Sequence, residues 1–184
     1  ALLLNLSPPV AVINDSNKEL MNVYRVIKEN TIELISYIEE LDAAPCNNEL
    51  YLSLREKYNE KIVRQELDVE CAALMIWLNK HCFNGLYRVN SKGLFNVPYN
   101  NKKHGPSIDK ENIEAIGWYL RESRVELRVG DFEEALWDAR PGDFVYFDSP
   151  YVPITETAKF TDYTKGGFTL EDHKRLAAVF RRLS

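Results

Sequence analysis

Aspartates stand after three short apolar runs, where a carboxylate can bind or activate a ligand. VAVIN ends at Asp15, VELRVG at Asp131 and FVYF at Asp148. If each run is a strand of an open α/β sheet, the three acids gather along its carboxyl edge, where such sheets bind ligands. A carboxylate there can accept both hydroxyls of a ribose or the exocyclic amine of an adenine. Asp15 and Asp131 also have plain structural readings, as a helix cap and as a turn residue after Gly130. The run Asp148-Ser149-Pro150-Tyr151 is sharper. It joins an acceptor carboxylate, a backbone carbonyl, a rigid proline and an aromatic face within one turn. Asp148 and the Ser149 carbonyl can accept the two N–H bonds of an amino group on a planar heterocycle, and Tyr151 can stack on the ring. These acceptors would stabilise positive charge developing on that amine during attack, the reverse in sign of an oxyanion hole. On its own the tetrapeptide also reads as a β-turn.

The elements that must position these groups alternate between strand and helix. Val10–Asn14 reads as a buried strand. Asp15 and Ser16 offer cap chemistry to one or two amphipathic helices running to Leu41, on the apolar stripe Leu20, Val23, Tyr24, Ile27, Leu34, Ile35 and Ile38. Leu50–Tyr58 and Glu66–Lys80 read as helices. Asn84–Gly105, rich in Gly, Pro, Asn and aromatics, reads as a loop or hairpin. Asp109–Ser123 returns to helix, Val125–Val129 to strand, Phe132–Trp137 to a helical turn and Phe144–Phe147 to a buried strand. Thr155–Gly167 reads as a loop, and Thr169 caps a last helix to Leu183. The pattern is an α/β sheet domain, residues 1–45 and 109–184, interrupted by a helical and loop-rich subdomain at residues 46–108. Three strands are few for an open sheet, so part of a larger domain is expected.

Composition bounds the function. With 45% hydrophobic and 28% charged residues over 184 positions, the chain is neither a disordered polymer nor a disulfide scaffold. No apolar run approaches the roughly 20 residues that span a bilayer, so no membrane role is expected. Cys46, Cys71 and Cys82, an odd number without a CxxC pair, read as reduced thiols and place the protein in the cytoplasm. The histidines and cysteines form no cluster with metal-ligand spacing; His81, His104 and His173 read as surface or loop residues. A net charge of −5 argues against a wholesale nucleic-acid binder. Yet Cys71–Ile108 contains Lys80, Arg88, Lys92, Lys102 and Lys103 and no Asp or Glu. An acid-free stretch in so acidic a chain fits a polyphosphate partner, against the plainer reading of chance clustering on a solvated loop.

The motifs together resemble one family. Asp148-Ser149-Pro150-Tyr151 resembles the D/N/S-P-P-Y/F/W motif of amino-methylating DNA methyltransferases. FNGLYRVNSKGLFNVPY (Phe83–Tyr99) resembles the recognition hairpin of the Dam-type, DpnM-like adenine-N6 methyltransferases. VINDSNKEL, VGDF and PITETAKFTDY resemble the cofactor-ribose motif, the cofactor-adenine motif and the loop after the catalytic motif. The resemblance implies a Rossmann-like S-adenosylmethionine-dependent methyltransferase sheet with an inserted DNA-recognition subdomain. It implies that Asp15 binds the cofactor ribose, that Asp131 and Phe132 hold its adenine, and that Asp148 borders both cofactor and target. Asp148, Ser149, Pro150 and Tyr151 would hold a target adenine flipped out of the duplex. Phe83 would wedge into the duplex beside Asn84 and Leu86. Arg88 would read a guanine, Pro98 would meet a thymine methyl, Lys80 would contact phosphate, and Asn90 would lie on the same DNA face. The implied partner is double-stranded DNA methylated at adenine N6 within GATC. A cognate restriction endonuclease system beside it is left open.

Two departures stand out. Ser149 occupies a position where the family usually has Pro. The family's Gly-rich F-x-G-x-G loop before the first acidic motif and its C-terminal strands have no counterpart in this sequence, so the reading expects a central portion of the enzyme. A truncated, inactive GATC-binding remnant is the alternative.

Overall fold

A computed structural model describes residues 2–102, 105–150 and 168–183. Its elements in order are α1 (Leu2–Leu6), β1 (Val10–Asp15), α2 (Lys18–Glu29), α3 (Thr31–Asp42), α4 (Asn48–Arg64), α5 (Val69–His81), α6 (Lys110–Glu122), β2 (Arg124–Val129) and α7 (Leu170–Leu183). Single 3₁₀ turns occur at Phe83–Gly85 and Glu134–Leu136. Among the described residues the sheet is β1 and β2, paired in parallel from Val10↔Arg124 to Asp15↔Val129. Parallel neighbours need a crossover, and here it carries α2 to α6 and the whole helical insertion.

The helices begin where short polar side chains can take up the first free amides. Asn17, Asn47, Asp68 and Asp109 cap α2, α4, α5 and α6, each accepting from the amide three residues on. The cap of α2 is therefore Asn17 rather than Asp15 or Ser16. Thr169 caps α7, its hydroxyl accepting from Asp172 N at 3.2 Å.

Two apolar cores form, and α5 serves both. Ala72 and Ala73 join Val26, Ile27, Leu34, Ile38, Leu120 and Val125 in one core, under the sheet. Cys71, Leu74, Trp77 and Leu78 join Tyr51, Tyr58, Phe95 and Val97 in the other. A helix apolar all round is a helix buried all round. In the first core α6 crosses α2 and α3 closely at Gly117. A Cβ there would stand 2.5 Å from Thr31 Oγ1 and 2.8 Å from the Ile27 carbonyl, so this crossing requires glycine.

Two polar networks fasten the cores together. Lys61 of α4, 7% exposed, reaches Asp68 at 2.7 Å and Glu70 at 2.8 Å, and Glu70 also meets Lys57 and the hydroxyl of Tyr37. At the other end of α5, Asp42 accepts from Trp77 Nε1 (3.0 Å), Ser107 N (2.7 Å) and Ser107 Oγ (2.6 Å). His81 Nε2 lies 3.1 Å from that hydroxyl, and its ring stacks on Trp77. His81 is 4% exposed, which overturns its reading as a surface or loop histidine. The polar neighbours that satisfy it come from distant segments and leave no local sequence signal.

One expected strand does not form. Residues 144–147 run without strand pairing, with Phe144 79% and Tyr146 60% exposed. A central strand needs a ladder and cover on both faces. Here alternate side chains face solvent, so burial does not hold the segment in the sheet. Tyr151 and the loop expected at Thr155–Gly167 lie outside the described residues.

Glu70 gives the network a pH signature. Burial works against its charge, but hydrogen bonds from Lys57, Lys61 and Tyr37 outweigh that and pull its pKa down to about 2 from an ordinary 4.5. A depressed carboxylate pKa stabilises the fold above the unfolded value and loses that contribution as pH falls through the folded one. Glu70→Gln is expected to cost roughly 3 kcal/mol at neutral pH. In urea titrations the gap to the parent protein should narrow steadily as pH drops below 4.5. A gap independent of pH would contradict the network.

Candidate functional site

The parallel register brings the carboxyl ends of β1 and β2 together. Gly130 N donates to the Asp15 carbonyl at 3.2 Å, and Asn14 Nδ2 donates to the Gly130 carbonyl at 3.0 Å. Asp15 Oδ1 accepts from Asn17 N at 2.7 Å, which orients the carboxyl at the start of α2. Burial pushes the Asp15 pKa up, the Asn17 amide pulls it back, and the nearby charge of Asp148 raises it further. Asp148 is therefore close enough to Asp15 to be felt, although it leaves a segment that is not a strand. Asp148 is exposed, and Ser149 and Pro150 are half-buried. Tyr24 borders the same corner, its hydroxyl pKa raised by burial and by Asp15.

Asp131, two residues beyond β2, is in a more committed state. It accepts from Arg175 Nη2 at 2.7 Å and from Glu133 N at 2.9 Å. Partial burial opposes its charge, but these donors prevail and hold its pKa below the usual range. Arg175 also lies over the Phe132 ring, 4.9 Å from its centre, and reaches Glu133 and Asp172. Arg175, which sequence reasoning missed, fastens α7 to the acidic edge. A basic residue inside a charged helix carried no signal of that role.

A second constellation stands at the end of α5. The chain leaves α5 at His81 and returns alongside itself, with antiparallel bridges at Cys82↔Tyr99 and Val89↔Phe95. Phe83 N donates to the Pro98 carbonyl (2.9 Å), Asn96 N to the Arg88 carbonyl (3.2 Å) and Asn90 N to the Leu94 carbonyl (2.9 Å). Asn90 Oδ1 folds into the tip and accepts from Lys92 N and Leu94 N. Asn79 Nδ2 braces the Gly85 carbonyl at 2.9 Å, behind Asn84 in its left-handed conformation (φ 54°).

Side chains of α4 supply partners that a neighbouring strand would otherwise give. Asn59 holds both backbone groups of Phe95, accepting from N at 2.9 Å and donating to O at 3.0 Å. Tyr51 OH and Arg55 Nη1 donate to the Val97 carbonyl at 2.9 and 3.2 Å. These residues are spaced by four along α4 and so share one face. Phe95 and Val97 are buried against that face, at 3% and 1% exposure. Alternation then turns Asn96 and Pro98 the other way. The outward side carries Phe83 (51% exposed), Leu86 (45%), Asn84 and Pro98, with Arg88 and Asn90 half-buried and Lys80 exposed at the end of α5. All the sequence-predicted hairpin residues thus belong to one small unit. The residues that hold it, Tyr51, Arg55, Asn59 and Asn96, were not singled out in the sequence. The expected helix Leu50–Tyr58 stopped short of Asn59, whereas α4 runs on to Arg64, and none of these residues carried a local signal of its target.

The fold and site together are an α/β chain with acids at the carboxyl edge of a parallel pair and an inserted hairpin bearing aromatic and basic residues. A family model described as D12 class N6 adenine-specific DNA methyltransferase matches residues 1–184, and the chain belongs to that family. It is 45% identical over 183 residues to a Type II methyltransferase, M1.LlaDCHI, of Lactococcus lactis subsp. cremoris, covering 100% of this chain and 64% of that protein. It is 37% identical over 179 residues to the Type II methyltransferase M.MjaIII of Methanocaldococcus jannaschii, covering 94% of this chain and 61% of that protein. It is 33% identical over 187 residues to a DNA adenine methylase of Serratia marcescens, covering 100% of this chain and 66% of that protein. The chain thus spans just under two thirds of the length of these relatives. Among the described residues no helix is long and apolar enough to cross a membrane, and no cluster of three or more His, Cys, Asp or Glu could hold a metal ion.

Removing the Asn59 amide strands two buried backbone groups of Phe95, at about 1–3 kcal/mol. Asn59→Ala is expected to speed hydrogen exchange at the Phe95 amide while leaving the α2 and α6 amides unchanged. Unaltered exchange at Phe95 would mean that α4 does not hold the hairpin.

Proposed function

We propose that the intact protein transfers a methyl group from S-adenosylmethionine to N6 of an adenine in duplex DNA, within GATC, after flipping that adenine out of the helix. The observation that carries the reading is the hairpin at residues 83–98. It carries an aromatic, a guanidinium and a proline, with Phe95 and Val97 turned back onto α4. The proposed organisation is a Rossmann-like methyltransferase body at residues 1–45 and 109–184, with a recognition subdomain at residues 46–108.

The acidic corner suits the cofactor in part. Asp15 has one carboxylate oxygen turned to the Asn17 amide, and its other oxygen suits ribose hydroxyls. Asp131 and Phe132 are assigned to the cofactor adenine, and the Arg175 guanidinium must share or yield that place. When bound, S-adenosylmethionine supplies an electrophilic methyl group on a sulfonium. Asp148 and the Ser149 carbonyl accept the N6 hydrogens of the target adenine and stabilise positive charge as the nitrogen attacks. Pro150 keeps that turn rigid, and Tyr151 stacks on the base.

Flipping costs a few kcal/mol. Phe83 wedged into the stack, with Asn84 and Leu86 beside it, offsets part of this. Arg88 pairs with guanine O6 and N7, Pro98 meets a thymine methyl, Lys80 meets a phosphate, and Asn90 shapes the tip facing the DNA. The setting is the cytoplasm, in keeping with three free thiols. A cognate restriction endonuclease system is proposed as its companion, since two of the relatives are named Type II methyltransferases.

The test is labelled S-adenosylmethionine with duplexes containing GATC or GTTC. Label is expected on GATC alone. No label with retained preference for GATC would indicate an inactive binding remnant, and no preference at all would refute the hairpin's reading role. Asp148→Ala is expected to abolish transfer while specific DNA binding persists. Loss of binding matching the loss of transfer would remove Asp148 from the chemistry.

A further inference from the structure

We propose that Asn96 is a positioning residue for sequence discrimination: it fixes the Arg88 guanidinium in the end-on orientation that reads one guanine. This rests on the reading of Arg88 given above. Arg88 Nε donates to Asn96 Oδ1 at 2.8 Å, and Arg88 Nη2 donates to the Asn96 carbonyl at 3.3 Å. The backbones are joined too, Asn96 N donating to the Arg88 carbonyl at 3.2 Å. One residue therefore takes the whole Nε side of the guanidinium, through its side chain and its main chain together.

The consequence follows from the shape of arginine. Its planar fork carries fixed N–H donors that can serve a two-acceptor partner side-on, through Nε and Nη2, or end-on, through Nη1 and Nη2. Asn96 occupies the side-on edge. Neither bond to Asn96 uses Nη1, which leaves the end-on pair of N–H bonds, in the parallel arrangement that matches guanine O6 and N7, for another partner. Without the brace, the same arginine would have to lose more side-chain freedom on binding and could choose either edge.

Asn96 can act this way because its own position is fixed from behind. Its neighbour Phe95 is clamped by Asn59, and Val97 is held by Tyr51 and Arg55. A rigid path thus runs from α4 through the returning limb to Asn96 and on to the guanidinium.

The test uses the intact protein and compares methyl transfer, as kcat/KM, on GATC duplexes with each position replaced in turn. 7-Deazaguanine, which lacks the N7 acceptor, is included at each guanine. Arg88→Ala is expected to relax discrimination at one guanine by roughly 10- to 100-fold. Asn96→Ala is expected to relax the same position by roughly 3- to 10-fold, the worth of one hydrogen bond, and to leave the others unchanged. The double variant should be no less selective than Arg88→Ala alone. Asn96→Asp should keep discrimination, because a carboxylate oxygen accepts from Nε in the same place.

If Asn96→Ala lowers transfer equally on all duplexes, or adds fully to Arg88→Ala, the positioning role is overturned and Arg88 keeps its own. If Arg88→Ala shifts no position, the guanine reading itself falls and takes the inference with it.

Discussion

A buried backbone must have hydrogen-bond partners, and among the described residues no strand provides them on the side of the hairpin's returning limb that faces α4. That constraint shapes the insertion. Phe95 and Val97 carry apolar side chains into the second core, and doing so buries their amide and carbonyl groups as well. Side chains on one face of α4 meet the need. The hairpin is thereby fixed to a helix instead of a sheet, and only isolated bridges are required between its own limbs. Because the inward positions are settled, the outward ones are too: Asn96 and Pro98 alternate with Phe95 and Val97. A loosely held hairpin with the same sequence would carry the same side chains but could not hold them in one arrangement.

α5 transmits that order to the rest of the molecule. It carries residues of both cores, so the hairpin begins from an element that the sheet domain also holds. The Asp42, Ser107 and His81 network closes the other end of the insertion, where the chain rejoins α6. At the acidic edge a different balance operates. Asp15 and Asp148 are like charges kept near one another, and Asp131 is neutralised by Arg175. Asp15 is partly buried at a cost to the fold, and such cost tends to be retained where charge is used.

Much of this was legible in the sequence, for physical reasons. The helices announced themselves by apolar period, and their cores formed on the expected stripes; of the expected caps Thr169 holds, while α2 is capped by Asn17 instead of Asp15 or Ser16. The parallel pair stands on two short apolar runs, but β1 is not the buried strand expected: alternate residues face out, with Val10 64% and Val12 46% exposed. The hairpin was legible because Gly, Asn and Pro punctuate it, while its outward residues were named only through the resemblance to a family. What was missed depends on distant partners. FVYF is apolar enough for a strand, but strand formation needs a ladder that its own residues cannot supply, and Phe144 and Tyr146 stay exposed. His81 was read as peripheral because Ser107, the partner of its Nε2, comes from a distant segment, although Trp77 lies one turn back on the same helix. Arg175, Asn59 and Asn96 act through tertiary contacts that no local pattern encodes.

The central claim is that the outward side of the 83–98 hairpin is where the duplex is read. A GATC duplex bearing 5-iodouracil in place of the thymine after the target adenine, irradiated in complex with the intact protein, tests this directly. The account predicts a crosslink mapping within Phe83–Pro98 and lost when the GATC context is scrambled. A crosslink confined to the outer face of α4 or to α7, or one indifferent to sequence, would contradict it.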